Sequence, residues 1–127
     1  MNRVWIVDDD TIASAIAKHL LGRHDAFELT GEYINAVEAI QKLQAESKDN
    51  PDVILLDLNM PVMSGWEFLD VLLKDTSLSI IPVVIFTSSI DPRDRLRALD
   101  YPMVIGHFVK PINFDTLHEI NVLLSRS

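Results

Sequence analysis

Asp57 closes a fully apolar run, Val53-Ile54-Leu55-Leu56, and is followed by Leu58-Asn59-Met60-Pro61. A carboxylate at the edge of an apolar core loses hydration and needs a partner. A second run, Val4-Trp5-Ile6-Val7, ends in Asp8-Asp9-Asp10. Two strands that deliver carboxylates at their C-terminal ends make Asp8, Asp9 and Asp57 a hard oxygen donor set. Such a set suits Mg²⁺, with Mn²⁺ as a substitute, and so suits phosphoryl chemistry. Without a cation, one carboxylate pair ~4 Å apart costs about 4 kcal/mol at an effective dielectric near 20. The plainer reading of Asp8-Asp9-Asp10 is a helix N-cap with first-turn acids; it accounts well for Asp10 alone. Thr87 ends a third apolar run, Val83-Val84-Ile85-Phe86. A hydroxyl there can bond a phosphoryl oxygen, though taken alone it reads as a turn residue. Lys110 precedes Pro111 after a further run. Its ammonium can pair with Asp57 and later with a phosphate; taken alone it reads as a solvated lysine. Lys110-Pro111 also invites a cis peptide.

The elements that must place these groups alternate from end to end. Residues 4–7 predict a strand, and Ala13, Ile16, Ala17 and Leu20 fall at helical spacing before Gly22. Phe27 to Thr30 predicts a weaker edge strand. Asn35 caps a helix with Glu38 as capping-box partner, and Ala36, Ile40 and Leu43 form its apolar stripe. After the Asn50-Pro51-Asp52 turn comes the Val53–Leu56 strand. Ser64-x-x-Glu67 opens a helix with Gly65, Phe68, Leu69 and Leu72 on one face. Pro82 opens the Val83–Phe86 strand, Asp91-Pro92 a short helix, residues 104–109 a fifth strand, and Asn113 a last helix facing inward through Leu117, Ile120 and Leu124. This alternation predicts an α/β fold: a doubly wound, five-stranded parallel sheet flanked by five helices. In such sheets ligands bind beyond the C-terminal strand ends, at the switch point. In an order 2-1-3-4-5, that point lies between the strands carrying Asp8-Asp9 and Asp57.

Composition bounds the rest. At 127 residues the chain predicts one domain, 1–127, large enough to bury a core unaided. A net charge of −8 argues against direct nucleic-acid binding. No apolar stretch approaches the ~20 residues of a membrane span. The run after Arg3 is too short for a signal peptide, and Met1 just before the first strand suggests a natural start. Absence of cysteine fits a reducing, cytoplasmic setting. Trp5 is expected in the core and Trp66 partly exposed near the site. His19, His24 and His118 show no metal spacing and are expected at the surface.

The ordered set Asp8-Asp9, Asp57 with Met60-Pro61 and Gly65, Thr87, and Lys110-Pro111 resembles the receiver domain of two-component response regulators. The resemblance covers essentially the whole chain and is closest in type to the single-domain chemotaxis receivers. The chemotaxis member is a known example of the flavodoxin-like 2-1-3-4-5 order, so that order belongs to the resemblance. The resemblance implies that Asp57 is the phosphoacceptor, taking a phosphoryl group from a sensor histidine kinase or a histidine phosphotransfer protein. It implies that Asp9, Asp57 and the Asn59 carbonyl ligate Mg²⁺ directly, with Asp8 acting largely through water. Thr87 and Lys110 hold the phosphoryl oxygens. Asn59 and Ser89, each two residues beyond Asp57 and Thr87, tune the lifetime of the acyl phosphate, and small Ser88 leaves room for it. Thr87 and His107 form the switch, His107 filling the space that Thr87 vacates, with output through the helix 4–strand 5–helix 5 surface. The only chemistry expected is the chain's own phosphorylation and dephosphorylation. One departure stands out: Leu99-Asp100-Tyr101-Pro102-Met103 replaces the Gly-Ala pair common before strand 5, so partner identity does not carry over. Two alternatives remain. A pseudo-receiver would keep the fold without phosphorylation. A small phosphatase of the haloacid dehalogenase type would use Asp8-Asp9-Asp10-Thr11, but its threonine is one place early and no acidic pair follows Lys110.

Overall fold

The sheet is parallel throughout, in the order β2-β1-β3-β4-β5. The structure is a computed structural model and describes residues 1–45 and 49–126. The strands are β1 (Asn2–Val7), β2 (Phe27–Tyr33), β3 (Val53–Leu56), β4 (Val83–Thr87) and β5 (Val104–Val109). The helices are α1 (Thr11–Gly22), α2 (Ala36–Ala45), α3 (Gly65–Leu73), α4 (Pro92–Ala98) and α5 (Phe114–Ser125). The expected order and alternation are both present.

The continuous apolar runs follow from burial on both faces. Successive strand residues point to opposite sides. Val4, Ile6, Val53, Leu55, Val84 and Phe86 pack toward α1 and α5, where Ala17, Leu21, Leu117 and Ile120 meet them. Trp5, Val7, Ile54, Leu56, Val83 and Ile85 pack on the other side, against Ala39 and Leu43 of α2 and Phe68 and Leu72 of α3. Burying each Leu, Ile or Phe contributes about 1.5–3 kcal/mol. The two layers together hold the sheet edge rigid beneath the site.

Helix starts follow the predicted caps. Asp10 accepts from the Ile12 and Ala13 N–H groups. Asn35 Oδ1 accepts from Glu38 N–H at 2.7 Å. Ser64 and Glu67 close a reciprocal capping box. Asp91 with Pro92 and Asn113 start α4 and α5.

β2 runs three residues beyond its predicted end at Thr30, to Tyr33. Its register slips opposite Val4 and Trp5, and its alternating exposure marks an edge strand, which weakens the apolar signal. Gly31 sits in the slip. A Cβ there would lie 2.7 Å from Trp5 Nε1, so glycine lets the buried indole cross the strand.

Trp66 departs from expectation. It is buried rather than exposed beside the site. Tyr101 stacks on it at 5.8 Å, and the Arg97 guanidinium lies 4.5 Å above its ring. Tyr101 also donates its hydroxyl to Asp70 Oδ1 at 2.6 Å. The unusual Leu99–Met103 stretch thus bolts the α4–β5 connection onto α3.

The β3–α3 loop contains a strained residue. Val62 has φ 69°, and Met63 N–H donates to Pro61 O at 2.8 Å across it. This is a γ-turn of the rare, positive-φ kind. Such a conformation costs about 1–3 kcal/mol for a non-glycine residue.

Candidate functional site

Parallel register brings the carboxylates together. Val7 pairs with Leu56, and Asp57 N–H continues the ladder to Val7 O at 3.0 Å. Asp8 and Asp57 are therefore level and both are buried, while Asp9 is exposed. Carboxylate oxygens of Asp8, Asp9 and Asp57 all lie within 4.8 Å of one another.

β5 supplies the cation. Thr87 pairs with Val109, and Lys110 N–H donates to Thr87 O at 2.8 Å. The Lys110–Pro111 peptide is cis. The Lys110 ammonium reaches Asp8 Oδ2 at 2.9 Å, Asp57 Oδ2 at 3.5 Å and Asp10 Oδ2 at 3.7 Å. Its nearest partner is therefore Asp8, where sequence reasoning named Asp57. A lysine flanked by three acids settles against the closest buried charge.

The electrostatics follow. Burial, then the neighbouring Asp8 charge, push the Asp57 carboxyl up to about 6, against the pull of Lys110 and the Asn59 N–H. Burial alone would lower the Lys110 pKa, but Asp8, Asp57 and Asp10 outweigh it and raise it. Asp10 is held low chiefly by its hydrogen bond from Ala13, as befits a helix cap. The repulsion anticipated from sequence is thus only partly relieved by Lys110. A buried carboxylate still held above its ordinary range, among three acids and no soft donors, fits a small divalent cation.

The remaining predicted groups ring this centre. Asn59 is exposed and its N–H donates to Asp57 Oδ1 at 3.4 Å. Thr87 is fully buried and its Oγ1 accepts from Ser89 N–H at 3.1 Å. Ser88 is exposed and Ser89 half-buried. His107 stands apart, opposite Ile85 rather than Thr87. It lines a groove with Arg95, Leu96 and Leu99. Its Nδ1 is buried without a hydrogen-bond partner. Burial, then Arg95, lower its pKa, opposed by Asp94.

Gly65, read from sequence as part of the motif set and of a helix face, also shapes the backbone behind Asp57. Its N–H donates to Leu58 O at 2.9 Å. A Cβ there would lie 2.5 Å from Asp57 O and 2.7 Å from Leu58 Cα. Only glycine lets α3 start so close behind the end of β3. The small pocket below Asp8 and Lys110, also lined by Ser14 and Phe86, measures about 30 Å³. That is room for water. Sequence reasoning also missed a contact: His24 Nε2 and His118 Nδ1 lie 3.3 Å apart, brought together by α1–β2 turn and α5 positions 94 residues distant.

Comparison with known proteins agrees with this fold. The family model for the response regulator receiver domain matches residues 4–121. An uncharacterized response regulatory protein of Shewanella oneidensis is 31% identical over 112 residues, covering 88% of this chain but 44% of its own length. The chain thus spans less than half of the curated relatives it matches. A two-component response regulator from Cytophaga hutchinsonii superposes with a TM-score of 0.90 at 25% identity, covering 98% of this chain and 97% of that one. The Mn²⁺-bound form of response regulator Rcp1 superposes with a TM-score of 0.78 at 25% identity, covering 98% and 91%.

Proposed function

Because the chain belongs to the response regulator receiver domain family, we propose that it is a signalling module whose Asp57 accepts a phosphoryl group from phosphohistidine on a sensor histidine kinase or a histidine phosphotransfer protein. The observation that carries this reading is the buried Asp57 carboxylate at the switch point, beside the buried Asp8, the exposed Asp9 and a lysine. With its pKa near 6, Asp57 is mostly ionised and nucleophilic at neutral pH.

An Asp57 carboxylate oxygen forms a bond to phosphorus as the phosphorus–nitrogen bond breaks. Neutral imidazole leaves, its proton count balanced by solvent, and an acyl phosphate remains. Water later returns the carboxylate and inorganic phosphate. Asp8, Asp9, Asp57 and the Asn59 carbonyl would hold Mg²⁺, or Mn²⁺ in its place, which supplies neutralisation of the phosphoryl charge. Thr87 and Lys110 bind phosphoryl oxygens, Lys110 exchanging a carboxylate partner for the new phosphate. Asn59 and Ser89 flank the product and set its lifetime. Thr87 moving toward the phosphoryl group and His107 filling behind it would carry the signal to the α4–β5–α5 surface. In this reading residues 1–127 act as one cytoplasmic receiver without direct nucleic-acid contact. Among the described residues no helix is long and apolar enough to cross a membrane.

The test is direct. Mg²⁺ with acetyl phosphate should add one phosphoryl group to the intact mass, and Asp57→Asn should abolish it. Persistent absence of the adduct on the parent chain would favour the pseudo-receiver reading.

A further inference from the structure

Ser14 is an odd residue for a buried position in α1. It is 5% exposed, and its Oγ is buried without a hydrogen-bond partner. A buried hydroxyl in that state is costly, and native folds rarely leave one so. The helix gains nothing from it. Alanine, which stands at positions 13, 15 and 17, is the better helix former and carries no polar side-chain atom. The Asp10 carbonyl one turn back accepts from the Ser14 N–H at 3.0 Å, and the hydroxyl does not share it.

Ser14 lines the small pocket below Asp8 and Lys110, about 30 Å³ in volume. A water needs roughly 10–15 Å³ of such space and about two to four polar partners. Leu55, Phe86 and Ile112 make apolar walls, so the polar partners on offer are Ser14, Asp8 and Lys110. The Lys110 ammonium carries three donors. Of its three acidic neighbours only Asp8 Oδ2, at 2.9 Å, is closer than 3.5 Å. Asp8 Oδ1 accepts from Asp10 N–H at 2.9 Å, and each carboxylate oxygen accepts a second bond. Lys110 and Asp8 thus both retain hydrogen-bonding capacity beside a hydroxyl that lacks a partner.

Resting on the phosphoacceptor reading, we infer that Ser14 is a positioning residue, its hydroxyl holding Asp8 and Lys110 in place through one water bonded to all three. When Lys110 turns to a phosphoryl oxygen, that water stays on Asp8 and keeps the buried charge solvated. Ser14 touches neither the donor nor the phosphoryl group. It therefore acts on the rate of the bound complex and leaves donor binding alone.

Ser14→Thr and Ser14→Val share one shape and differ in the hydroxyl. The probe is acetyl phosphate with saturating Mg²⁺, read as phosphoryl groups added over time to the intact mass. At saturating acetyl phosphate Ser14→Val should label about fivefold or more slowly than Ser14→Thr, with KM within about twofold. Ser14→Thr should stay within about twofold of the parent. Ser14→Ala, which adds no bulk, should label as slowly as Ser14→Val and melt no higher than the parent, because its loss of the water bond offsets the gain in helix propensity. Equal rates in Ser14→Val and Ser14→Thr would overturn the inference, as would a loss confined to KM. So would a Ser14→Ala melt about 4 °C or more above the parent, the mark of a hydroxyl that had no partner at all. If the two larger variants fail to fold, the Ser14→Ala rate and melt decide. If acetyl phosphate fails to label the parent chain, the phosphoacceptor reading itself falls and the role of Ser14 in it falls too, while the melt still decides whether the pocket holds the water.

Discussion

Replacing Asp57 by asparagine should make the cation-free protein more stable while abolishing phosphorylation. Burial and Asp8 raise the Asp57 pKa from 3.8 to about 6. A carboxyl raised in the fold stabilises it while protonated, fully below 3.8, and that contribution is lost as pH rises through about 6. Near neutral pH the ionised group therefore carries its whole penalty, on the order of 3 kcal/mol from a rise of about two pH units. Solvent screening and relaxation reduce this to about 1–3 kcal/mol. For a chain of this size that corresponds to roughly 3–10 °C in melting temperature. Thermal melts of parent and Asp57→Asn in a chelator, near pH 7 and near pH 4, read it out. The gain should be present near neutrality and small in acid. Saturating Mg²⁺ should then raise the parent by mass action, about 2.7 kcal/mol at a hundred times Kd, and narrow the gap. An Asp57→Asn protein that melts at or below the parent in chelator near neutrality would refute the reasoning, since pairing with Lys110 would then outweigh burial and repulsion.

Gly65→Ala should destabilise the fold by about 1–3 kcal/mol in urea unfolding, because its Cβ meets backbone rather than a movable side chain. It should also slow labelling by acetyl phosphate, as the displaced backbone carries Asp57. Tyr101→Phe should cost about 1–2 kcal/mol by leaving Asp70 without its 2.6 Å donor; an unchanged urea midpoint would show that the bolt contributes nothing.

The fold and much of the site were legible because the chemistry sits at the ends of continuous apolar runs. Asp8, Asp57 and Thr87 each end such a run, and register in a parallel sheet then sets them side by side. Partnerships that depend on three-dimensional competition were not legible. Lys110 leans foremost on Asp8, a choice decided by a few tenths of an ångström among three acids. Trp66 looked exposed beside a glycine turn, but Tyr101 and Arg97, over thirty residues later, close over it. The extension of β2 was hidden because an edge strand alternates with polar residues. The His24–His118 contact leaves no periodic trace, and Val62 reads as an ordinary loop residue until its φ is known.

Each of the two tyrosines lies against one of the two tryptophans, Tyr33 on Trp5 at 4.7 Å and Tyr101 on Trp66 at 5.8 Å. Excited tyrosine hands its energy to a nearby indole, so the folded chain should emit almost purely as tryptophan. A tyrosine shoulder appears only when a pair separates. The pairs report different places, one the β1–β2 edge and the other the hold of the α4–β5 connection on α3. Paired with single Trp→Phe variants, the native chain is its own two-channel optical gauge, and the Trp66 channel watches the packing of α3 against α4 rather than the acidic cluster.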